Sequence, residues 1–103
     1  MLDANSHILY RKIDAAAAKR LLDADPRAVL LDVRTEAEYA AGHAPDAVLL
    51  PLEEICAETA AAAIPAKTAP VLLTCSHGVR SAAAAGRLLR LGYRRVYDVG
   101  ASD

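Results

Sequence analysis

The chain has 103 residues, 54% of them apolar, and a formal charge of −1 at pH 7. That length suits one domain built on one core, a single unit over residues 1–103, and the near-neutral charge gives no support for binding nucleic acid or an anionic membrane surface. No apolar run approaches membrane-spanning length. The first residues, Met1 to Ser6, lack the basic and apolar regions of a signal peptide, so a cytoplasmic location is the expectation.

The elements alternate along the chain, which predicts an α/β fold with a mainly parallel sheet. A short strand near Ile8 to Tyr10 precedes a helix from about Ala15 to Ala24, and Asp25-Pro26 marks the turn that follows. Val29-Leu30-Leu31 reads as a buried strand. Thr35 is placed to cap a short helix from Glu36 to Ala41, which Gly42 ends. Val48-Leu49-Leu50 is the next strand, Glu53 to Ala63 a helix, and residues 65–70 a connection to the apolar strand Val71-Leu72-Leu73-Thr74. In the last helix, beginning near Ser81, Ala84, Ala85, Leu88 and Leu91 share one face, with Gly92 as the C-terminal cap. Arg87, Arg90, Arg94 and Arg95 read as a basic cluster on its solvated side. Val96-Tyr97 forms a final strand. With no Trp or Phe, the core must be assembled from Leu, Val, Ile, Ala and the four tyrosines.

Two cysteines without a secretion signal suggest thiol chemistry rather than a disulfide framework. Cys56 falls in a helix-like segment, where a buried structural role is expected. Cys75 is placed differently. It stands at the junction of the apolar strand and the last helix, followed by Ser76-His77-Gly78-Val79-Arg80. A loop between a strand end and a helix N-terminus turns backbone N–H groups and the positive end of the helix dipole toward its contents, which lowers a thiol's pKa and can hold an anion or a persulfide. Gly78 allows the backbone to curl there. Packing cysteines normally lie inside an apolar run, whereas ligands of open α/β sheets bind at the carboxyl ends of strands.

The segment Cys75-Ser76-His77-Gly78-Val79-Arg80-Ser81, with Ala84-Ala85, Leu88 and Gly92-Tyr93 after it, resembles the active-site segment of rhodanese domains. Upstream, Leu31-Asp32-Val33-Arg34, Glu38-Tyr39, Gly42-His43, Pro45, Ala47 and Leu50-Pro51 resemble the other signature of that family, and the two together span about Ile13 to Val99. The resemblance implies a small parallel sheet flanked by helices on both faces. It also implies sulfurtransferase activity through a Cys75 persulfide, with thiosulfate or a related small sulfur donor and a thiol, protein or cyanide acceptor. No metal or organic cofactor is expected, and no clustered Cys/His spacing suggests zinc.

Roles around the nucleophile follow from residue type and position. Asp32 and Arg34 read as an ion pair anchoring a strand end, with Glu38 a candidate partner for Arg34 or Arg80. His43 reads as a residue that hydrogen-bonds a turn, and His77 as a specificity contact. Ser81 is placed to cap the loop or to hydrogen-bond the thiolate. Arg80 can bind the donor's oxyanion or brace the backbone through a carboxylate; bracing is the favoured reading. Departures from the family pattern occur at Ala44 and Asp46, within Gly42-His43-Ala44-Pro45-Asp46-Ala47, and at Ala101-Ser102, where the family usually has two glycines. Ending at Asp103 without the customary tail predicts a shortened C-terminal end and an open site. The alternatives are a rhodanese-like phosphatase or arsenate reductase, whose loop is one residue longer, and an interaction module without catalysis.

Overall fold

The computed structural model describes residues 10–75 and 79–101. Five strands form one parallel sheet in the order β1-β5-β4-β2-β3: β1 (Tyr10–Lys12), β2 (Val29–Asp32), β3 (Val48–Leu49), β4 (Pro70–Cys75) and β5 (Arg95–Ala101). Four helices connect them: α1 (Ala15–Ala24), α2 (Glu36–Ala41), α3 (Ala57–Ala63) and α4 (Val79–Arg90). The connections β1→β2 and β2→β3 move across the sheet in one direction, and β3→β4 and β4→β5 in the other. Right-handed crossovers therefore put α1 and α2 on one face and α3 and α4 on the opposite face.

Side-chain alternation fills those faces. Leu31, Val33, Val71, Leu73 and Val96 pack with Ala60 and Ile64 of α3 and Ala84, Ala85 and Leu88 of α4 in the main core. Leu72 is also fully buried, so the centre of β4 is covered on both sides, as a central parallel strand requires. Tyr93 supplies the largest core side chain. Its hydroxyl donates to the Ile64 carbonyl at 2.7 Å, which satisfies the polar end that burial would otherwise strand.

Local chemistry explains the element ends. Asp14 caps α1 by accepting from the Ala17 amide at 2.8 Å. Thr35 and Glu38 form a capping box on α2: Thr35 Oγ1 accepts from the Glu38 amide, and Glu38 Oε1 accepts from the Thr35 amide. Gly92, at φ +100°, ends α4 with the Tyr93 amide donating to Leu88 and its own amide to Leu89, a Schellman closure.

Several boundaries differ from the sequence reading. The first strand runs on to Lys12, two residues past its predicted end, while Ile8 and Leu9 of that prediction lie outside the described residues. The predicted helix from Glu53 to Ala63 is divided: a 3-10 turn covers Leu52–Glu54, Ile55 and Cys56 are extended, and α3 starts at Ala57. The division lets Ile55 turn into the core, where it is 7% exposed, and it leaves Cys56 exposed at the N-cap, contrary to the buried role expected for it. The last helix starts at Val79, two residues before the predicted position, and the last strand extends from Arg95 to Ala101.

Candidate functional site

Because all five strands point the same way, the carboxyl ends of β2, β3, β4 and β5 share one edge of the sheet. Cys75 is the last residue of β4, at that edge. Leu73 pairs with Asp98 but Thr74 pairs with Gly100, so Val99 is the extra residue of a bulge just below the end of β4. Four residues lie between Cys75 and Arg80, which stands in the first turn of α4. Ser76, His77 and Gly78, assigned to the loop from sequence, lie outside the described residues.

The flanks of this loop are tied by charged side chains. Arg80 Nη1 and Nη2 donate to Glu38 Oε1 and Oε2 at 2.6 and 3.0 Å, a bidentate pair joining the start of α4 to the start of α2. Of the two partners open to Glu38 in sequence, the structure pairs it with Arg80. The Arg80 guanidinium, followed by the Thr35 amide, holds the Glu38 carboxyl well below the usual carboxylate range. Glu38 thus serves two elements at once, capping α2 and gripping α4.

Arg34 takes a different partner. Its Nε and Nη2 reach the Asp32 carboxylate at 2.9 and 2.7 Å, and Nη2 also donates to the Gly42 carbonyl at 2.7 Å. Both residues of this pair are buried, at 8% and 1% exposure, and pairing with Asp32 raises the arginine's pKa. The pair joins the end of β2 to the end of α2. Gly42, at φ +154° and ψ 137°, has a backbone conformation that side chains other than glycine's adopt only with strain, and it aims the accepting carbonyl at Arg34.

His43 stacks on Tyr39 with ring centroids 3.5 Å apart, and its Nδ1 donates to the Tyr39 carbonyl at 2.8 Å. The Tyr39 hydroxyl donates to the Ala47 carbonyl at 2.6 Å. These contacts shape the turn into β3 beyond the C-terminus of α2. Ser81 is fully buried on α4 and engaged in polar contact, whereas Val79 is 75% exposed beside the loop.

Sequence reasoning missed two polar residues at this edge. Asp98 is 2% exposed, in register with Leu73, and engaged in a polar interaction; a carboxylate two residues after the inward-facing Val96 was the signal that could have found it. Arg87, assigned to a solvated face, is instead half-buried and donates to the Leu52 carbonyl at 2.7 Å. Its spacing of seven residues from Arg80 puts both on one side of α4. Among the described residues no group of three or more His, Cys, Asp or Glu is arranged to hold a metal, and no helix is long and apolar enough to cross a membrane.

A groove of about 970 Å³ lies between α1 and α2, with Leu22, Leu30, Pro45 and Val99 among its lining. Arg34, Glu38, Gly42 and Thr74, which carry the ties described above, also line this groove.

Comparison with known proteins agrees with this geometry. The rhodanese-like domain family matches residues 14–101, and the chain belongs to that family. A sulfurtransferase from Allochromatium vinosum is 34% identical over 91 residues, covering 88% of this chain and 82% of the relative. Among solved structures, an E. coli rhodanese with anions superposes with a TM-score of 0.68 at 32% identity, covering 72% of this chain and 86% of the other. A human single-domain sulfurtransferase, TSTD1, gives 0.71 at 26% identity, with 88% and 90% covered. The chain is thus a rhodanese-domain sulfurtransferase, with the small parallel sheet of that family.

Proposed function

We propose that this protein moves a sulfane sulfur from thiosulfate, or from a related persulfide donor, to a thiol or cyanide acceptor by way of a persulfide on Cys75. The observation that carries the reading is the position of Cys75 at the end of a central parallel strand, five residues before an arginine that a carboxylate holds bidentately. A loop anchored at both ends on rigid elements can keep its N–H groups convergent on one atom, and the N-terminus of the 12-residue α4 adds its dipole. Because Glu38 already occupies Arg80, Arg80 serves as a brace and the backbone bears the sulfur's charge.

In the first step the Cys75 thiolate attacks the outer sulfur of thiosulfate. The S–S bond breaks, sulfite leaves with its electron pair, and Cys75 carries the persulfide. In the second step a cyanide or thiolate acceptor attacks the outer sulfur and releases the Cys75 thiolate. Neither step calls for a metal or an organic cofactor. Ser76, His77 and Gly78 are assigned to the loop that surrounds the sulfur, with Ser81 buried behind it on α4, and the exposed Val79 offers an apolar contact to a protein acceptor. The same reading places the protein in the cytoplasm, where thiol acceptors are kept reduced.

Mass spectrometry after incubation with thiosulfate tests the assignment. One sulfur atom should be added at Cys75 and removed by cyanide or dithiothreitol. Cys56→Ser should load normally, and Cys75→Ser should not load. Sulfur transfer surviving in Cys75→Ser would show that the nucleophile is elsewhere.

A further inference from the structure

The hydrogen bonds along the carboxyl edge of the sheet form a circuit. The Thr74 carbonyl, one residue before Cys75, accepts from the Val33 amide at 3.2 Å. The Val33 carbonyl accepts from the Leu52 amide at 3.2 Å, and the Leu52 carbonyl accepts from Arg87 Nη1 at 2.7 Å. Arg87 lies on α4, the helix that the Cys75 loop enters. The chain of contacts thus runs from β4 across the end of β2 to the 3-10 turn, and back to the helix that follows β4.

Leu52 is a joint that needs fixing. Its carbonyl also accepts from Ile55 at 3.2 Å, closing the single turn Leu52–Glu54, which has no side-chain cap. A lone 3-10 turn holds itself poorly. Beyond the backbone contacts with β2, the Arg87 side chain reaches this turn from α4 and bonds its first carbonyl. The turn carries the exposed carboxylates of Glu53 and Glu54 at the carboxyl edge of the sheet, so its placement sets the charge that an approaching substrate meets there.

We infer that Arg87 is a positioning residue for sulfur transfer, acting through the Leu52 carbonyl to fix the turn Leu52–Glu54 as a wall at the same sheet edge as Cys75. The inference rests on the sulfurtransferase reading above. It gives the two arginines of α4 separate roles. Arg80, through Glu38, braces the loop that holds the nucleophile, and Arg87 places the wall that substrate passes. Loss of Arg87 should therefore weaken the productive fit of substrate more than the reactivity of the thiol.

The test compares Arg87→Met and Arg87→Lys in the thiosulfate–cyanide reaction. Methionine keeps much of the aliphatic stem and has no donor, whereas lysine can offer one N–H to the same carbonyl, which is all that Arg87 uses. Arg87→Met should raise the KM for thiosulfate about five-fold with kcat within about two-fold of the parent, and Arg87→Lys should recover most of the loss. In a Cys56→Ser background, iodoacetamide should alkylate Cys75 at the parent rate in both variants. Unchanged KM in Arg87→Met, equal defects in the methionine and lysine variants, or a parallel slowing of alkylation would each overturn the inference. Should the parent protein show no thiosulfate turnover, the sulfur-transfer reading fails on its own account. Amide exchange at Ile55 then decides the role of Arg87: faster exchange in Arg87→Met upholds its hold on the turn, and unchanged exchange overturns it.

Discussion

Glu38 ties the start of α2 to the start of α4. Its two oxygens accept from Arg80, and Oε1 also accepts from the Thr35 amide and hydroxyl. A neutral amide at this position can still cap α2, but it presents one acceptor to a guanidinium that binds two. Glu38→Gln should therefore fold, retain the α2 cap and lose loop bracing, with sulfur-transfer kcat/KM falling about ten-fold. The pH dependence has a definite sign. Because Arg80 depresses the folded-state pKa of Glu38, its contribution to stability is present above the ordinary carboxylate range and is lost as pH falls through and below that range. Thermal denaturation from pH 7 down to pH 3 should show an acid loss of stability that is smaller in Glu38→Gln than in the parent. Parallel acid profiles would show that the pair does not stabilise the fold.

At the scale of elements, α4 is held at both ends, by Glu38 at its start and by the Gly92 closure at its finish. Gly92 has φ +100°, and a methyl group there would meet nothing nearer than Lys67 Nζ at 3.9 Å. The cost of Gly92→Ala is thus backbone strain without a clash, about 1–2 kcal/mol, and the melting temperature should drop by roughly 4–8 °C per kcal/mol lost for a domain of this size. A melting temperature equal to the parent's would mean that the turn relaxes at no cost. This closure was legible in sequence, as were the Thr35 cap and the apolar strands, because each is written in a few neighbouring residues. The Glu38–Arg80 pair was legible only as one of two options, since the choice depends on how α2 and α4 approach each other across the sheet edge. The break at Ile55 and Cys56 was not legible: Leu52-Glu53-Glu54 before it and the alanine-rich run after it both favour helix, and the outcome is decided by the burial of Ile55 and by the Thr59 hydroxyl, which accepts from the Cys56 amide and donates to the Glu54 carbonyl. Thr59 and the neighbouring amides also hold the exposed Cys56 thiol below its ordinary pKa, so alkylating reagents should modify Cys56, and Cys75 reactivity is best measured in Cys56→Ser.

For the molecule as a whole, the parallel sheet determines where chemistry can occur, because it gathers the strand ends at one edge while the four helices are distributed over the two faces. What the edge can process then depends on the size of the ring it builds. Four residues between Cys75 and Arg80 enclose little space. One extra sulfur on Cys75 is a single atom with a single charge, whereas a phosphoryl group brings several oxygens, each needing a donor at about 2.7–3.1 Å. Glu38 takes one N–H from each of the two outer nitrogens of Arg80 and so competes with an oxyanion for the guanidinium. The expected outcome is measurable thiosulfate sulfurtransferase turnover with negligible hydrolysis of aryl phosphates, and a gain of some phosphatase activity when one glycine is inserted after His77. Phosphatase turnover in the parent protein that exceeds sulfur transfer and disappears in Cys75→Ser would transfer the assignment to phosphoryl chemistry. An enlarged loop that gained nothing would show that Glu38's hold on Arg80, and not ring size, is what excludes the oxyanion.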